Sequence, residues 1–197
     1  MTERLARLRP DELSEGQQRL YDALTGGPRG APGSGMEIRV DGSLGGPFNA
    51  MLQHPGVGAA LQELGAQLRF AAALSGRCRE LAVLLVAAHH RSEYEWQAHA
   101  ALAQREGLTA KQVEALRTGG EPGLDDEVER ATVAATREQL ATGDLAAASY
   151  RRAADALGEA GLVELTALIG YYGLLALQMR VFRVPLPPGA GDPWGPG

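Results

Sequence analysis

The chain has 197 residues and a formal net charge of −5, and 45% of its residues are hydrophobic although only 5% are aromatic. A chain of this length commonly forms one domain, and a core built from Leu, Val and Ala favours helices, because Ala and Leu have high helix propensities. The acidic balance and the lack of a Lys/Arg-rich block argue against a surface that tracks phosphates, so we expect no nucleic-acid partner.

Three features of the sequence indicate a cytoplasmic protein. The segment 1–18 contains no apolar stretch of the kind that a secretory signal needs. The most apolar segments, 81–88 and 162–177, are shorter than the roughly 20 residues that span a bilayer, so we expect no membrane partner. The single cysteine, Cys78, allows no intramolecular disulfide, which is typical of proteins in a reducing compartment.

Capping signals and apolar periodicity predict roughly seven or eight helices and little or no sheet. The first helix, 14–25, opens with Ser14-x-x-Gln17, which has the form of a capping box. Residues 26–46 are rich in Gly and Pro and form a long loop, which at this length is either a functional lid or a flexible strap. Within this loop, 36–40 is compatible with a short strand. Further helices are predicted at 47–74 with a break near His54, and at 78–90, 92–107, 109–119, 125–142, 145–157 and 161–182.

The same pattern predicts the organisation of the chain. We expect residues 1–186 to form a single helical domain, and the Pro/Gly-rich tail 187–197 not to fold by itself. Long apolar helices and Ala-rich faces such as 131–135 provide more apolar surface than one core buries. We therefore expect a homo-oligomer.

A group of polar residues marks the helix that begins at Ser92. Ser92, Glu95 and His99 are spaced i, i+3 and i+7, so they lie on one face of a helix. Glu95 and His99 are one turn apart, close enough for a carboxylate–imidazole contact. Glu80 is near the start of the preceding apolar helix, and its carboxylate reaches the same pocket if the two helices pack together. These residues form a candidate acid/base site.

This spacing resembles the motif of the alkylhydroperoxidase-D-like superfamily: a glutamate, two cysteines three residues apart, and a histidine four residues further on. Both cysteine positions are replaced here, by Ser92 and Glu95. The run 94–99, Tyr-Glu-Trp-Gln-Ala-His, is similar to the Tyr-Glu-Trp-x-x-His signature of the carboxymuconolactone decarboxylase family, the non-redox branch without the cysteine pair. The resemblance covers roughly residues 10–186. It implies an all-α fold, the alkylhydroperoxidase-D-like helical bundle, whose subunits assemble as trimers or hexamers.

The resemblance and the missing thiols together define the chemistry that we expect. Peroxide reduction needs one thiol to attack and a second to resolve, and neither Ser92 nor Glu95 does this, so the redox function should be absent. The family implies decarboxylation of a β-keto-type lactone acid without a cofactor. We therefore predict a cofactor-independent decarboxylase, lyase or isomerase acting on a small acidic or lactone-type metabolite. His99 would transfer the proton, with Glu95 as its partner or as the acid, and Glu80 as a second carboxylate.

The candidate substrate-binding residues are Ser92, Trp96 and an arginine. Arg69 or Arg77 is suited to hold a substrate carboxylate, because a guanidinium group binds a carboxylate in bidentate fashion. Ser92 and Trp96 belong to the same motif as the acid/base residues. Packing explains Trp96 better than chemistry does.

Each of these residues also has a structural interpretation. Glu95 is the third residue of a Ser92 capping box and would then bond back to the helix start. His99 on a partly apolar helix is by default a hydrogen-bonded core histidine. His89 and His90 invite a metal site, but the His-Glu-x-x-His pattern is absent and adjacent histidines point about 100° apart on a helix, so we expect no metal.

Two other functions compete with the enzyme. The first is a non-catalytic oligomeric small-molecule-binding or scaffold protein, in which the acid/base residues would satisfy each other and be closed to solvent. The second is a residual peroxidase that uses Cys78. It ranks last, because Cys78 adjoins an apolar helix and has no second thiol to resolve it.

Overall fold

The computed structural model describes residues 3–31, 34, 36–187 and 189–195, and over these residues the protein is all-helical. Within them, extended backbone pairs in one isolated antiparallel bridge between Ile38 and Leu44, so the tract 36–40 does not form a strand. The α-helices are α1 (Glu15–Thr25), α2 (Pro47–Gln53), α3 (Pro55–Phe70), α4 (Gly76–His90), α5 (Glu93–Arg105), α6 (Ala110–Thr118), α7 (Glu127–Thr142) and α8 (Ala147–Phe182). The all-helical prediction is confirmed.

Helix α4 is central to the fold and packs against α5, α6, α7 and α8. Nine of its 15 residues are buried, as expected for a helix that is apolar on most sides. The helix begins after Ser75, whose hydroxyl accepts a hydrogen bond from the Cys78 N–H at 3.2 Å. Glu80 is the one charged side chain among the nine, and at 1% exposure it must be satisfied inside the protein.

The link between α4 and α5 consists of Arg91 and Ser92. Arg91 has the left-handed backbone conformation (φ 48°, ψ 46°), and the Ser92 N–H donates to the Ala87 carbonyl at 2.8 Å. This cap ends α4 and reverses the chain, so that α5 packs back along α4. The reversal brings Glu80, near the start of α4, into contact with His99 of α5.

Gly46 allows the chain before α2 to pass directly over the Tyr94 ring. Its backbone φ is +58°, and a Cβ at this position would lie 2.6 Å from a carbon of that ring. Glycine is therefore required both for the conformation and for the space. The close approach places Pro47 in the first turn of α2 and Phe48 against the cavity described below.

Helix α8 bends at Gly158, whose backbone is not helical (φ 72°, ψ 162°). The two helices predicted at 145–157 and 161–182 are therefore the two limbs of α8. Among the described residues, α8 is the one helix that is long and apolar enough to cross a membrane by length and composition. It packs against α4 and α7, and Leu165 and Leu168 have no exposed surface, which is typical of a core helix.

The Pro/Gly-rich tail packs against α5. The Trp194 ring lies 5.5 Å from the Trp96 ring in an edge-to-face arrangement. The Gln97 side-chain amide donates to the Gly191 carbonyl at 2.6 Å. The conformation of the tail therefore depends on contacts with the helical body.

Candidate active site

A buried imidazole–carboxylate pair connects α4 and α5. His99 Nδ1 and Glu80 Oε2 are 2.7 Å apart, and the two side chains are 7% and 1% exposed. The Tyr172 ring of α8 packs edge-to-face on the His99 ring, with 5.0 Å between the centroids. Because Glu80 engages Nδ1, Nε2 is the ring atom left to exchange a proton with a ligand.

Glu80 is held as a carboxylate. Burial acts to raise the pKa of Glu80, but the His99 ring, Arg69 and Arg79 together outweigh burial and lower that pKa below its ordinary value. Arg79 Nε lies 3.4 Å from the second carboxylate oxygen, Oε1. Glu80 is thus the anionic partner that orients His99 at neutral pH.

Glu95, unlike Glu80, is held in its protonated form at neutral pH. Its side chain is buried, and over the described part of the chain neither carboxylate oxygen has a hydrogen-bond partner of normal geometry. Burial raises the pKa of Glu95 to about 8, and the nearby Ser92 hydroxyl offsets this only in part. Most molecules therefore carry a protonated Glu95 at pH 7, and this carboxyl group is able to donate a proton.

Two contacts predicted for Glu95 are absent. It does not bond His99, whose Nδ1 contacts Glu80 instead. The capping box at Ser92 is also missing, since the Ser92 side chain makes no cap hydrogen bond and Glu95 bonds no backbone N–H. The first turn of α5 instead buries Glu95 against the cavity. The role of Glu95 as the acid stays a prediction.

Glu95 and His99 line a cavity of about 40 Å³. Its walls are mostly apolar and aromatic, formed by Phe48, Tyr94, Leu102, Tyr172, Leu175 and Met179. A volume of this size holds about three water molecules. Ser34 and Met36 also line it, so part of the Gly/Pro-rich loop contributes to the wall of the cavity.

Two polar residues of the cavity, Arg29 and Tyr171, were given no role by the sequence. Arg29 is 5% exposed, and its Nε and Nη2 have no hydrogen-bond partner among the residues that the structure describes. The neighbouring Tyr171 hydroxyl makes no hydrogen bond of normal geometry to any of them either. Burial lowers the pKa of Arg29 and raises the pKa of Tyr171. Arg29 lies in a Gly/Pro-rich loop without a periodicity that would mark it, and its charge was the one available signal.

The two arginines predicted to hold a substrate carboxylate are placed differently. Arg69 lines the cavity, and its Nη2 donates to the Ser34 carbonyl at 3.0 Å. Arg77 is not part of the cavity, because it bonds both carboxylate oxygens of Glu129, at 2.5 and 3.1 Å. This ion pair joins α4 to α7, so Arg77 has a structural role.

Trp96 and Ser92 also lie outside the cavity. Trp96 packs in a separate apolar cluster and contacts Trp194, so the structure supports its packing interpretation. Ser92 lines a different groove, next to Arg91 and Arg183. The motif therefore contributes Glu95 and His99 to the cavity, but not these two residues.

The features that suggested a peroxidase or a metal site are placed unfavourably. Cys78 is 1% exposed within an apolar cluster and does not line the cavity, whereas reactive cysteines are partly exposed in electropositive surroundings. In the part of the chain that the structure describes, no three His, Cys, Asp or Glu side chains are grouped so that they could hold a metal ion.

The helical fold and the buried Glu80, Glu95 and His99 are those expected of an alkylhydroperoxidase-D-like protein in which Ser92 and Glu95 stand in place of the thiol pair. Residues 55–138, the part of the chain that carries these three residues, match the model of the Carboxymuconolactone decarboxylase family. The match confirms the family predicted from the sequence. A comparison with curated proteins finds no match.

Several solved structures share the fold. The debrominase Bmp8, in complex with 2,3,4-tribromopyrrole, is 14% identical with a TM-score of 0.71, covering 95% of this chain and 94% of that chain. A peroxidase-related protein from Silicibacter sp. TM1040 is 12% identical with a TM-score of 0.73, covering 95% and 93%. A protein of unknown function from Agrobacterium tumefaciens, related by name to the antioxidant defence protein AhpD, is 17% identical with a TM-score of 0.63, covering 72% and 98%.

Proposed function

We propose that the protein is a cofactor-independent decarboxylase, lyase or isomerase that acts on a small acidic or lactone-type metabolite by proton transfer. The observation that carries this proposal is the Glu95 carboxyl group, which is buried without a hydrogen-bond partner in the cavity that His99 also lines. A proton donor whose pKa lies near the working pH is what general acid catalysis requires. Glu80 fixes the His99 ring so that Nε2 can act as the base.

The two groups are sufficient for either reaction. In decarboxylation of a β-keto acid, the bond to the carboxylate breaks, CO2 leaves, and the bonding electrons move to the carbonyl oxygen as an enolate. Glu95 then donates its proton to the carbon atom that lost CO2. A proton from solvent, passed through His99, then reprotonates Glu95. In isomerisation, His99 Nε2 removes a proton from carbon and Glu95 delivers one to the other end of the double-bond system.

The contacts of the site favour an enzyme over a scaffold. A scaffold or simple binding protein would have Glu95 and His99 bonded to each other and closed off. Both side chains line the cavity instead, and Glu95 makes no hydrogen bond to His99. The similar fold of a debrominase that binds 2,3,4-tribromopyrrole supports a small flat ring as the kind of ligand.

Turnover of a panel of β-keto acids and unsaturated lactone acids tests this function. We expect the wild type to release CO2 or move a double bond in at least one compound. His99→Asn should lose about a hundredfold of that rate or more, because an amide N–H can still bond Glu80 but does not exchange protons. Incorporation of solvent deuterium into the product carbon measures the proton step itself. Trp96→Phe, outside the cavity, is the matched control, and full activity of His99→Asn would contradict the assignment.

We also propose that the protein is a homo-oligomer, a trimer or hexamer, with α8 at an interface between copies. Four apolar side chains on its second limb are exposed by 40% or more: Val163, Leu174, Leu177 and Val181. Their spacing places them on one face, as a stripe roughly 27 Å long. Gly170 lies on the same face, and a Cβ at this position would meet no other described part of the protein within 4 Å, which leaves room for another helix. An exposed apolar stripe of this length marks an interaction surface.

The double variant Val163→Glu/Leu177→Glu is expected to dissociate this oligomer, because it places like charges in the middle of an apolar interface. Light scattering coupled to gel filtration should show the mass falling to that of one chain, while Lys111→Glu, on an exposed position of α6, keeps the wild-type mass. A wild type that is already monomeric, or a double variant of unchanged mass, would remove α8 from the interface.

A further inference from the structure

We infer that Arg29 binds a carboxylate group that the substrate keeps through the reaction, so that the other end of a small acid faces Glu95 and His99. The identity of the reacting end rests on the proposed function. The binding of a carboxylate by Arg29 does not, because it follows from the unused donors and the charge of the cavity.

Arg29 is a buried cation that has no carboxylate counter-ion among the residues that the structure describes. Within the same residues its side-chain nitrogens Nε and Nη2 have no hydrogen-bond partner, although Arg29 is only 5% exposed. The guanidinium carbon lies 5.6 Å from the centre of the Phe48 ring, a contact that stabilises the charge but leaves the N–H donors unused. Burying an unpaired charge is costly, and native proteins rarely leave such donors unsatisfied. An anionic ligand would satisfy them.

Tyr171 places a second donor beside the guanidinium. Its hydroxyl is also buried and lies close enough to Arg29 to interact with it electrostatically, but it makes no hydrogen bond of normal geometry within the described residues, and together with Arg29 Nη2 it packs over Gly65 of α3. A Cβ at Gly65 would collide with both atoms, so glycine makes room for the two side chains at one place. The two oxygens of a carboxylate accept about four hydrogen bonds, which suits a guanidinium fork and a neighbouring hydroxyl.

The charge of the cavity favours an anion as well. Arg29 and Arg69 both line it, whereas Glu95, the carboxyl group of the lining, is mostly protonated at neutral pH. The Glu80 carboxylate contacts His99 and Arg79 instead. A monoanionic ligand would therefore neutralise positive charge that the cavity walls leave unbalanced.

The position of this cation determines which carboxylate can leave. A guanidinium group stabilises a bound carboxylate more than the neutral CO2 that would form from it, so it opposes decarboxylation of the group that it binds. The carboxylate on Arg29 is therefore retained in the product. The substrate is then an acid with an unsaturated or keto-bearing body, and the reaction is an isomerisation or the loss of a second carboxylate.

Binding of furan-2-carboxylate and of its neutral amide, furan-2-carboxamide, to the full chain tests this inference. The two probes share one ring and differ in charge. We expect calorimetric titration to show that the wild type binds the acid at least about tenfold more tightly than the amide. Arg29→Gln should weaken binding of the acid about 10–100-fold and leave the amide unchanged. Arg152→Gln, which removes an exposed arginine of α8, should match the wild type.

Folding and turnover are measured separately. Arg29→Gln removes an unpaired buried charge, so its melting temperature without ligand should equal or exceed that of the wild type. Equal binding of the two probes by the wild type, no binding of the acid, or discrimination kept by Arg29→Gln would overturn the inference. A wild type that binds the acid but converts no compound of the panel contradicts the proposed function alone. Turnover that Arg29→Gln leaves unchanged contradicts this inference alone.

Discussion

Glu95→Gln is expected to abolish turnover and to stabilise the folded protein at neutral and alkaline pH. The amide has nearly the shape of the protonated carboxyl group but has no acidic proton, so the rate should fall by about 10²–10⁴-fold. The stabilisation has a different cause. The wild-type carboxyl group must give up its proton in a buried site without a hydrogen-bond partner as the pH rises.

The sign and size of the stability effect follow from the pKa of Glu95, which rises from 4.5 to about 8 on folding. Between these pH values the folded protein binds more protons than the unfolded chain, so the free energy of unfolding falls by about 1.4 kcal/mol per pH unit as the pH rises. The total loss of unfolding free energy is negligible below about pH 4.5, amounts to roughly 3 kcal/mol at pH 7, and reaches its full value above about pH 8. The Glu95→Gln variant has no titrating group at this position, so its free energy of unfolding should not fall in this way.

Urea unfolding of the wild type and of Glu95→Gln at several pH values between about 5 and 8 measures this difference. The free energies of unfolding should diverge as the pH rises, with the variant the more stable protein. Glu63→Gln changes an exposed carboxylate and should run parallel to the wild type. Parallel curves for Glu95→Gln would show that Glu95 has an ordinary pKa, and the general-acid role would then lose its basis.

Most of the fold could be predicted because helix boundaries depend on local contacts. The Ser14 N–H donates to the Gln17 side chain at 2.9 Å, as the predicted capping box requires, and at the start of α6 the Thr109 hydroxyl accepts a hydrogen bond from the Gln112 N–H at 3.2 Å. The break near His54 separates α2 from α3. Each of these contacts joins residues within four positions of one another, so the sequence alone contains the information.

The site was predicted less completely because its contacts join distant residues. The partner of His99 is Glu80, 19 positions away, and not Glu95, which is one turn away. An i, i+4 spacing permits a contact, but the packing of α4 against α5 determines which carboxylate reaches the ring. The same holds for the arginines: Arg77 is removed from the cavity by an ion pair with α7, and Arg29 enters it from a loop without periodicity.

Glu80→Ala is expected to be the most destabilising single change at the site. It removes the hydrogen bond to His99 Nδ1 and the carboxylate that faces Arg79, and it leaves a buried imidazole without a partner. Breaking a buried pair in this way costs about 3–5 kcal/mol of unfolding free energy. Turnover should also fall about a hundredfold or more, because the ring loses its fixed orientation.

Glu80→Gln distinguishes a role of Glu80 in orienting His99 from a role in the stability of the fold alone, because its amide oxygen can still accept a hydrogen bond from His99 Nδ1. The pKa of Glu80 is lowered in the folded protein, so its ionisation contributes stability that is present above the unfolded pKa and is lost as the pH falls. Glu80→Gln should therefore destabilise the protein more at pH 7 than at about pH 4, opposite in sign to Glu95→Gln.

In the NMR spectrum, the hydrogen-bonded Nδ1 proton of His99 should persist in Glu80→Gln and disappear in Glu80→Ala. If Glu80 acts only through packing, turnover will follow stability in both variants. If it orients the base, turnover will follow the Nδ1 proton, and a spectrum without that proton in the wild type would disprove the pairing on which this role depends.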